Sequence, residues 1–206
     1  MTLTTGHLIV ALEWSTAAWE QTRDDEWDRT TSATEWSRRS TLDHLVDAMV
    51  LYSAYVATRA TKRVAPPRNG DPGASPLQLI EVFGSTGVTL QRVLDELPRG
   101  ARAFHPSGLA DTTGWIAMAC TEILVHTFDA SPATVDPAIV EAAELVVERA
   151  LPWAPPDGDG WERLLWATGR APLGGRAPAS SDWWWQSAPL DEWDRKPRRR
   201  SAPPQW

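Results

Sequence analysis

Residues 115–129 form a stretch that is apolar nearly all the way round a helix, yet it contains Glu122 and His126. A helix with apolar side chains on every face is normally covered by other elements, so this stretch predicts the centre of a helical core. Residues four apart project from the same helix face. An unpaired buried carboxylate is costly and favours protonation. A bound cation removes that cost, so the pair suggests a metal site.

Other segments also have the apolar periodicity and the terminal signals of helices. The first helix is expected to be capped by Thr5, and the second to begin at Ser40. The predicted helices cover about residues 6–22, 42–63, 76–97, 113–130, 137–151 and 161–168. No strand and no internal repeat is predicted. The sequence therefore indicates an all-α protein, an up-and-down four-helix bundle with short extra helices and a Trp/Pro-rich C-terminal tail.

The composition changes to Pro, Gly, Ser and Trp after Gly169, which suggests two parts. We expect a metal-binding helical bundle at residues 1–151 and, at 152–206, a C-terminal extension packed on that bundle. A basic run at residues 195–200 is expected to be a solvated, disordered end. Trp183, Trp184 and Trp185 are expected mainly to hold the tail on the bundle, because consecutive residues do not all face one pocket.

The whole chain restricts the possible partners and the compartment. Its net charge of -7 argues against general affinity for nucleic acid or for acidic membranes. We find no pattern of a signal peptide and no apolar stretch long enough to span a bilayer. The single cysteine, Cys120, excludes an intramolecular disulfide. We therefore expect a cytoplasmic monomer or homodimer that acts on a small molecule.

His44 is a plausible third ligand for the predicted metal, because it lies near the start of the second helix and points inward. Together with Glu122 and His126 it would give a net +1 site for zinc or another divalent ion, with a fourth position open. Asp129 lies one turn beyond His126 and is placed to orient a ligand imidazole. The alternative is a core histidine bonded to a carbonyl and a Glu122 paired with an arginine.

Three motifs resemble those of the DinB/YfiT-like superfamily and its mycothiol-dependent maleylpyruvate isomerase branch. The first is Trp36-Ser-(x)3-Thr41-Leu-Asp-His44-Leu, the second is Trp115-(x)6-Glu122-(x)3-His126-(x)2-Asp129, and the third is Trp161-Glu-Arg-Leu-Leu-Trp-Ala-Thr-Gly-Arg170. The resemblance implies a four-helix bundle, and it maps His44, Glu122 and His126 onto the family's zinc ligands. It also implies isomerase or S-transferase chemistry that uses a low-molecular-weight thiol such as mycothiol as cosubstrate.

Other residues are weaker candidates for the site. His105, in a predicted loop, would line the pocket or donate a proton, although a solvated loop histidine is the favoured interpretation. Arg170 is a candidate for catalysis and for binding the cosubstrate, through a carboxylate or phosphate group, against the alternative of a surface arginine. Tyr52 is a candidate for binding the cosubstrate. Cys120 is expected to be a small core residue facing away from the metal.

These features favour a metal-dependent, thiol-using enzyme that acts on a small electrophile by S-transfer or by isomerisation through a thiol adduct. Two alternatives remain open at this point. One is a metal-dependent hydrolase that uses bound water at the same position. The other is a non-catalytic protein that binds a small molecule or responds to stress.

Overall fold

The protein is described by a computed structural model that covers residues 1–30, 35–64, 70–131 and 133–200. Parts of the predicted connector at 64–75, Pro132 and residues 201–206 lie outside these ranges. The described residues include six α-helices, so the all-α prediction is confirmed. The helices are α1 (Thr5–Glu20), α2 (Arg38–Thr58), α3 (Pro76–Asp95), α4 (Thr112–Ala130), α5 (Pro137–Ala150) and α6 (Gly160–Ala167).

The four long helices at the N-terminal side pack around one core. α1 and α2 each contact both α3 and α4, so the four helices form a closed arrangement. α5 packs against α4 and α1, and α6 packs against α5. Fifteen residues of α4 are buried, which agrees with its apolar surface on every side. The up-and-down direction of the four helices stays a prediction.

Two of the predicted helix starts are displaced. The N-cap of α1 is Thr4 instead of Thr5. The cap of α2 is Ser37, whose side chain accepts a hydrogen bond from the backbone of Ser40, instead of Ser40 itself. The helix also ends earlier than predicted, at Thr58, because Arg59 adopts a left-handed conformation with φ 48°. The earlier start places His44 within the second turn of α2.

The prediction of no strands is wrong, because four very short strands are present. β1 (Ala103–His105) pairs antiparallel with β2 (Gly108–Ala110), just before α4. β3 (Trp183–Trp184) pairs antiparallel with β4 (Arg198–Arg199) in the tail. The basic run is therefore not wholly a disordered end, since the backbone N–H of Arg200 also donates to the carbonyl of Asp182 at 2.7 Å.

The tail is joined to α5 by buried hydrogen bonds. The backbone N–H of Gln186 donates to the carbonyl of Ala150 at 2.8 Å. The guanidinium of Arg149 donates to the carbonyl oxygens of Gln186 and Ser187 at 2.8 and 3.1 Å, and to Asp111 at 2.5 Å. These bonds place residues 183–187 over the start of α4.

A membrane span is not found among the described helices. The longest of them, such as α2 and α3, lack a sufficiently apolar window of the required length.

Candidate metal centre

Two helices bring His44, Glu122 and His126 together. The Nε2 atoms of His44 and His126 each lie 3.2 Å from the same atom, Oε2 of Glu122. One ligand atom from each of the three residues lies within 4.8 Å of the others. All three side chains are largely buried, at 10–14% exposed. The alternative in which Glu122 pairs with an arginine is not what the structure shows.

Two aromatic side chains complete the surroundings of the three residues. The hydroxyl of Tyr52 donates to Oε1 of Glu122 at 3.3 Å. The indole of Trp36 stacks on the His126 ring, with centroids 5.7 Å apart and planes at 16°, and it lies 5.1 Å from the His44 ring. Trp36 contacts both imidazoles through these ring contacts and is itself 39% exposed. It therefore lies between the imidazoles and solvent on one side.

Asp129 and Arg170 lie behind His126. Oδ2 of Asp129 is 3.3 Å from Nδ1 of His126, an ion-pair distance at which the ring N–H is poorly aligned for a hydrogen bond. Arg170 grips the same carboxylate at 3.1 and 2.6 Å and also donates to the carbonyl of Thr168 at 2.6 Å. Arg170 thus holds the Asp129 carboxylate, and the orienting role of Asp129 stays a prediction.

The charges of this cluster support one another. Burial opposes the charge on Glu122, but hydrogen bonds with His126 and His44 outweigh it and hold the pKa well below its usual range. Burial also opposes the charge on His126, but its contacts with Asp129 and Glu122 raise the pKa of that imidazole. In the same way, contacts with His126 and Arg170 lower the pKa of Asp129 despite burial. At neutral pH both carboxylates are therefore ionised.

The cluster lies in a cavity of about 790 Å³. This volume is within the range of small-molecule sites, about 300–1,000 Å³. His105 of β1 and residues of the C-terminal tail also line the cavity. The arginines among the lining residues are Arg63, Arg170, Arg198, Arg199 and Arg200. Glu122 is the one acidic residue among those described in the lining.

His105 is a buried residue of β1 and not the solvated loop histidine that we favoured. It is 6% exposed and packs edge-on against Tyr52, with centroids 5.9 Å apart. Its Nδ1 accepts the backbone N–H of Ser107 at 3.1 Å and lies 2.6 Å from the Ser107 hydroxyl. Burial lowers the pKa of His105 to about 3. The ring is therefore neutral at physiological pH.

The three consecutive tryptophans all line the cavity, contrary to expectation. Trp185 is buried in the core, whereas Trp183 and Trp184 are partly exposed in β3. The guanidinium of Arg200 lies 4.5 Å above the Trp184 ring. The tail therefore forms a wall of the cavity while also packing on the bundle.

Cys120 is buried in the core, as predicted, and is not among the residues that line the cavity. Burial raises the pKa of its thiol to about 12. The protein's own sulfur is therefore a protonated thiol at neutral pH.

With this geometry established, the chain can be compared with known proteins. Residues 10–131 match the family model of the mycothiol maleylpyruvate isomerase N-terminal domain, which is more than half of the chain. The chain belongs to this family. The matched region contains α2 and α4, and so all three residues of the cluster. It confirms the family that the motifs around His44 and Glu122 indicate.

Two solved structures have a similar fold. Both are crystal structures of the mycothiol-dependent maleylpyruvate isomerase, one of them a histidine-to-alanine mutant. The identities are 12% and 13%, and the TM-scores are 0.57 and 0.55, with the mutant first. Each alignment covers 86% of this chain and 98% of the isomerase. No curated protein matches the chain significantly.

Sequence reasoning did not place Trp36 and Arg200 at the cavity. Trp36 was part of the quoted motif, but nothing in its spacing placed it on the two imidazoles. Arg200 belongs to a run that we expected to be solvated. A possible signal was the presence of both tryptophans and arginines in one tail, because arginine stacks on indole faces.

Proposed function

We propose that this protein is a metal-dependent enzyme that uses mycothiol or a similar thiol to isomerise, or transfer sulfur to, a small electrophile. The observation that carries the proposal is the convergence of His44, Glu122 and His126 in the cavity. The chain's family and the names of the two solved isomerases support the thiol and the isomerisation.

The donor atoms fit a zinc ion or another divalent metal. Two imidazole nitrogens and one carboxylate are typical ligands of catalytic zinc, which keeps a further position open. Nδ1 of His126 faces a carboxylate at 3.3 Å, so it carries the proton and leaves the Nε2 lone pair toward Glu122. When bound, the metal supplies positive charge that lowers the pKa of a thiol and favours the nucleophilic thiolate.

The remaining residues have distinct roles in this proposal. Asp129, held by Arg170, fixes the ring orientation and tautomer of His126. Tyr52 holds Oε1 of Glu122, which directs Oε2 toward the two imidazoles. Trp36 limits the access of water to the cluster. Because Cys120 is buried and protonated, the nucleophilic sulfur comes from the cosubstrate.

The test combines metal analysis with a substrate screen. The purified protein should contain about one zinc or other divalent ion per chain, and His126→Ala should lose it while His7→Ala, far from the cluster, keeps it. Turnover of maleylpyruvate and related unsaturated acids should require both metal and added thiol, and should survive Cys120→Ser.

Each other outcome has a defined meaning. Full turnover without a thiol would replace the proposal with the metal-dependent hydrolase. Loss of activity in Cys120→Ser, with fold and metal intact, would implicate the protein's own sulfur. A metal-loaded protein that binds these acids but turns none over would favour the non-catalytic binding protein. Unchanged activity after complete metal removal would exclude the metal.

A further inference from the structure

The side of the cavity formed by β1 and the tail presents two side chains that can donate hydrogen bonds to a ligand. The two donors are His105 and Arg200, which share the neighbour Trp184: its ring centroid lies 6.0 Å from that of His105 and 4.5 Å from the Arg200 guanidinium. Both line the same cavity as Glu122. Neither residue has been given a role in binding the metal or the thiol.

The hydrogen bonds of His105 fix its tautomer. Its Nδ1 accepts the Ser107 backbone N–H, so Nδ1 bears a lone pair and not a proton. In a neutral imidazole the proton is then on Nε2. A second proton at Nδ1 would meet the amide hydrogen of Ser107. His105 therefore presents a permanent hydrogen-bond donor at Nε2–H. It is poorly suited to proton transfer, either as a general base or as a general acid.

Arg200 differs from its neighbours in β4. Arg198 donates to Oε1 of Gln186 at 3.0 Å, and Arg199 is paired with Asp182 and Ser180 at 2.5 and 2.8 Å. Nε of Arg200, in contrast, is buried and has no hydrogen-bond partner among the described residues. Trp184 supports the guanidinium at 4.5 Å. A buried guanidinium N–H without an acceptor is costly, and an anionic ligand removes that cost.

We propose that His105 Nε2–H and the Arg200 guanidinium form an oxyanion subsite that selects an electrophile with a carboxylate or carbonyl conjugated to its C=C bond. A cation and a neutral donor both favour a negatively charged oxygen, and pre-oriented donors of this kind stabilise developing charge. The inference rests on the proposed function for the identity of the reaction. The binding of the oxyanion itself needs neither thiol nor turnover.

The subsite would assist a balanced addition and elimination. The thiolate sulfur of the cosubstrate forms a bond to the carbon β to the carbonyl, and the C=C electron pair moves to the carbonyl oxygen. His105 and Arg200 hydrogen-bond the resulting enolate. After rotation about the new C–C single bond, the electron pair returns and the S–C bond breaks, which releases the thiolate. His105 keeps its proton throughout.

Fumarate is a suitable probe for Arg200, with uncharged fumaramide as its shape-matched control. Binding to the purified protein without thiol would be measured by calorimetry. Arg200→Gln should weaken the binding of fumarate at least tenfold. Arg199→Gln removes the same charge from the neighbouring residue, in β4, and should weaken fumarate binding less than threefold. Fumaramide, whose carbonyl oxygens accept hydrogen bonds but carry no charge, should lose less affinity than fumarate in Arg200→Gln. Equal effects of the two variants, or no fumarate binding by the unmodified protein, would overturn the subsite.

The hydrogen-bond donor role of His105 can be tested by substitution with the two amide residues, Gln and Asn, and by NMR. His105→Gln keeps an N–H near the position of Nε2, whereas His105→Asn keeps an acceptor for Ser107 and loses the distant donor. Asn should therefore lower kcat at least tenfold more than Gln, with unchanged metal content. Nitrogen NMR should show the Nε2–H tautomer at neutral pH. A Nδ1–H tautomer, or equal kcat in the two variants, would reject the donor role.

These results separate the subsite from the proposed function. If activity does not depend on metal or thiol, but fumarate affinity falls in Arg200→Gln and not in Arg199→Gln, the subsite is supported and the proposed function is rejected. If activity depends on thiol but fumarate affinity is unchanged in Arg200→Gln, the proposed function is supported and the subsite is rejected.

Discussion

The Asp129 side chain is fully buried, and its position is set by Arg170 on one side and His126 on the other. The arginine makes a two-point contact, which restricts both the place and the rotation of the carboxylate. A carboxylate held in this way fixes the imidazole that it faces. The consequence is that the geometry of the candidate metal centre depends on a residue outside α4, three positions beyond the end of α6.

Asp129→Asn should weaken zinc binding by about 10–100-fold, as is usual when the partner of a ligand imidazole is removed. The reason is that a neutral amide no longer fixes the Nδ1–H tautomer of His126. Competition with a chromophoric chelator measures this affinity. Asp24→Asn, at a side chain 89% exposed, is the control and should change nothing. Equal zinc affinity in both variants would contradict the role of Asp129.

His105 predicts a dependence of stability on pH. Its folded pKa of about 3 lies below the unfolded value of about 6.5. The unfolded chain therefore takes up a proton first as the pH falls, and stability is lost below about pH 6.5. Between pH 7 and pH 5 the loss from this residue is about 2 kcal/mol.

Urea unfolding at the two pH values measures this loss, and His105→Asn is the comparison. The variant should be less stable at pH 7 but should lose about 2 kcal/mol less on acidification. An identical pH dependence in the two proteins would show that His105 is not held neutral.

At this scale the sequence predicted the residues that periodicity controls. Glu122 and His126 share a face because α4 is regular, and His44 points inward because α2 is amphipathic. Arg200 and Trp36 could not be placed in this way. Their positions depend on the path of irregular segments over the bundle, and that path is set by tertiary hydrogen bonds such as those of Arg149.

Among the elements, α2 is the one in which the difference between the predicted and the observed start matters for the site. The Ser37 side chain accepts the backbone N–H of Ser40 at 3.2 Å, and its carbonyl accepts the backbone N–H of Thr41 at 2.9 Å. The sequence analysis had predicted that the helix begins at Ser40. The additional residues extend the turns that precede His44, so the cap supports a candidate ligand as well as a helix end.

Ser37→Ala should therefore destabilise the protein by about 1 kcal/mol, the usual effect of losing a helix cap. Ser40→Ala removes a hydroxyl of the same size within the first turn and should change stability by less than half as much. Urea unfolding with zinc-free protein measures both. A larger loss of stability from Ser40→Ala than from Ser37→Ala would support Ser40, as we first predicted, as the start of the helix.

The strands show where element prediction from sequence fails. β1 and β2 have three residues each, and β3 and β4 have two, too few for alternation to emerge from the pattern. They are defined by their partners, which in the tail lie more than ten residues away. This is also why His105 was expected in a solvated loop, although pairing and packing bury it.

For the whole molecule, the tail adds a wall to the cavity at the helices. Helices α2 and α4 supply the candidate ligands, and residues 183–185 and 198–200 of the tail also line the cavity. The two sides are held together by Arg149, whose side chain is 9% exposed. The family match covers residues 10–131 and ends before this wall, so selection of the electrophile is expected to depend on the tail.

Arg149→Met should loosen the tail from the bundle. Methionine keeps much of the side-chain length but leaves Asp111 and the carbonyl oxygens of Gln186 and Ser187 without their donor, at a cost of about 3 kcal/mol. Limited proteolysis should then cut residues 188–200 faster, and fumarate affinity should fall with it, while helical circular dichroism and zinc content remain. Arg176→Gln, at an exposed ion pair with Asp157, is the control. Fast cleavage of the tail without loss of fumarate binding would show that the wall formed by the tail is not needed for the ligand.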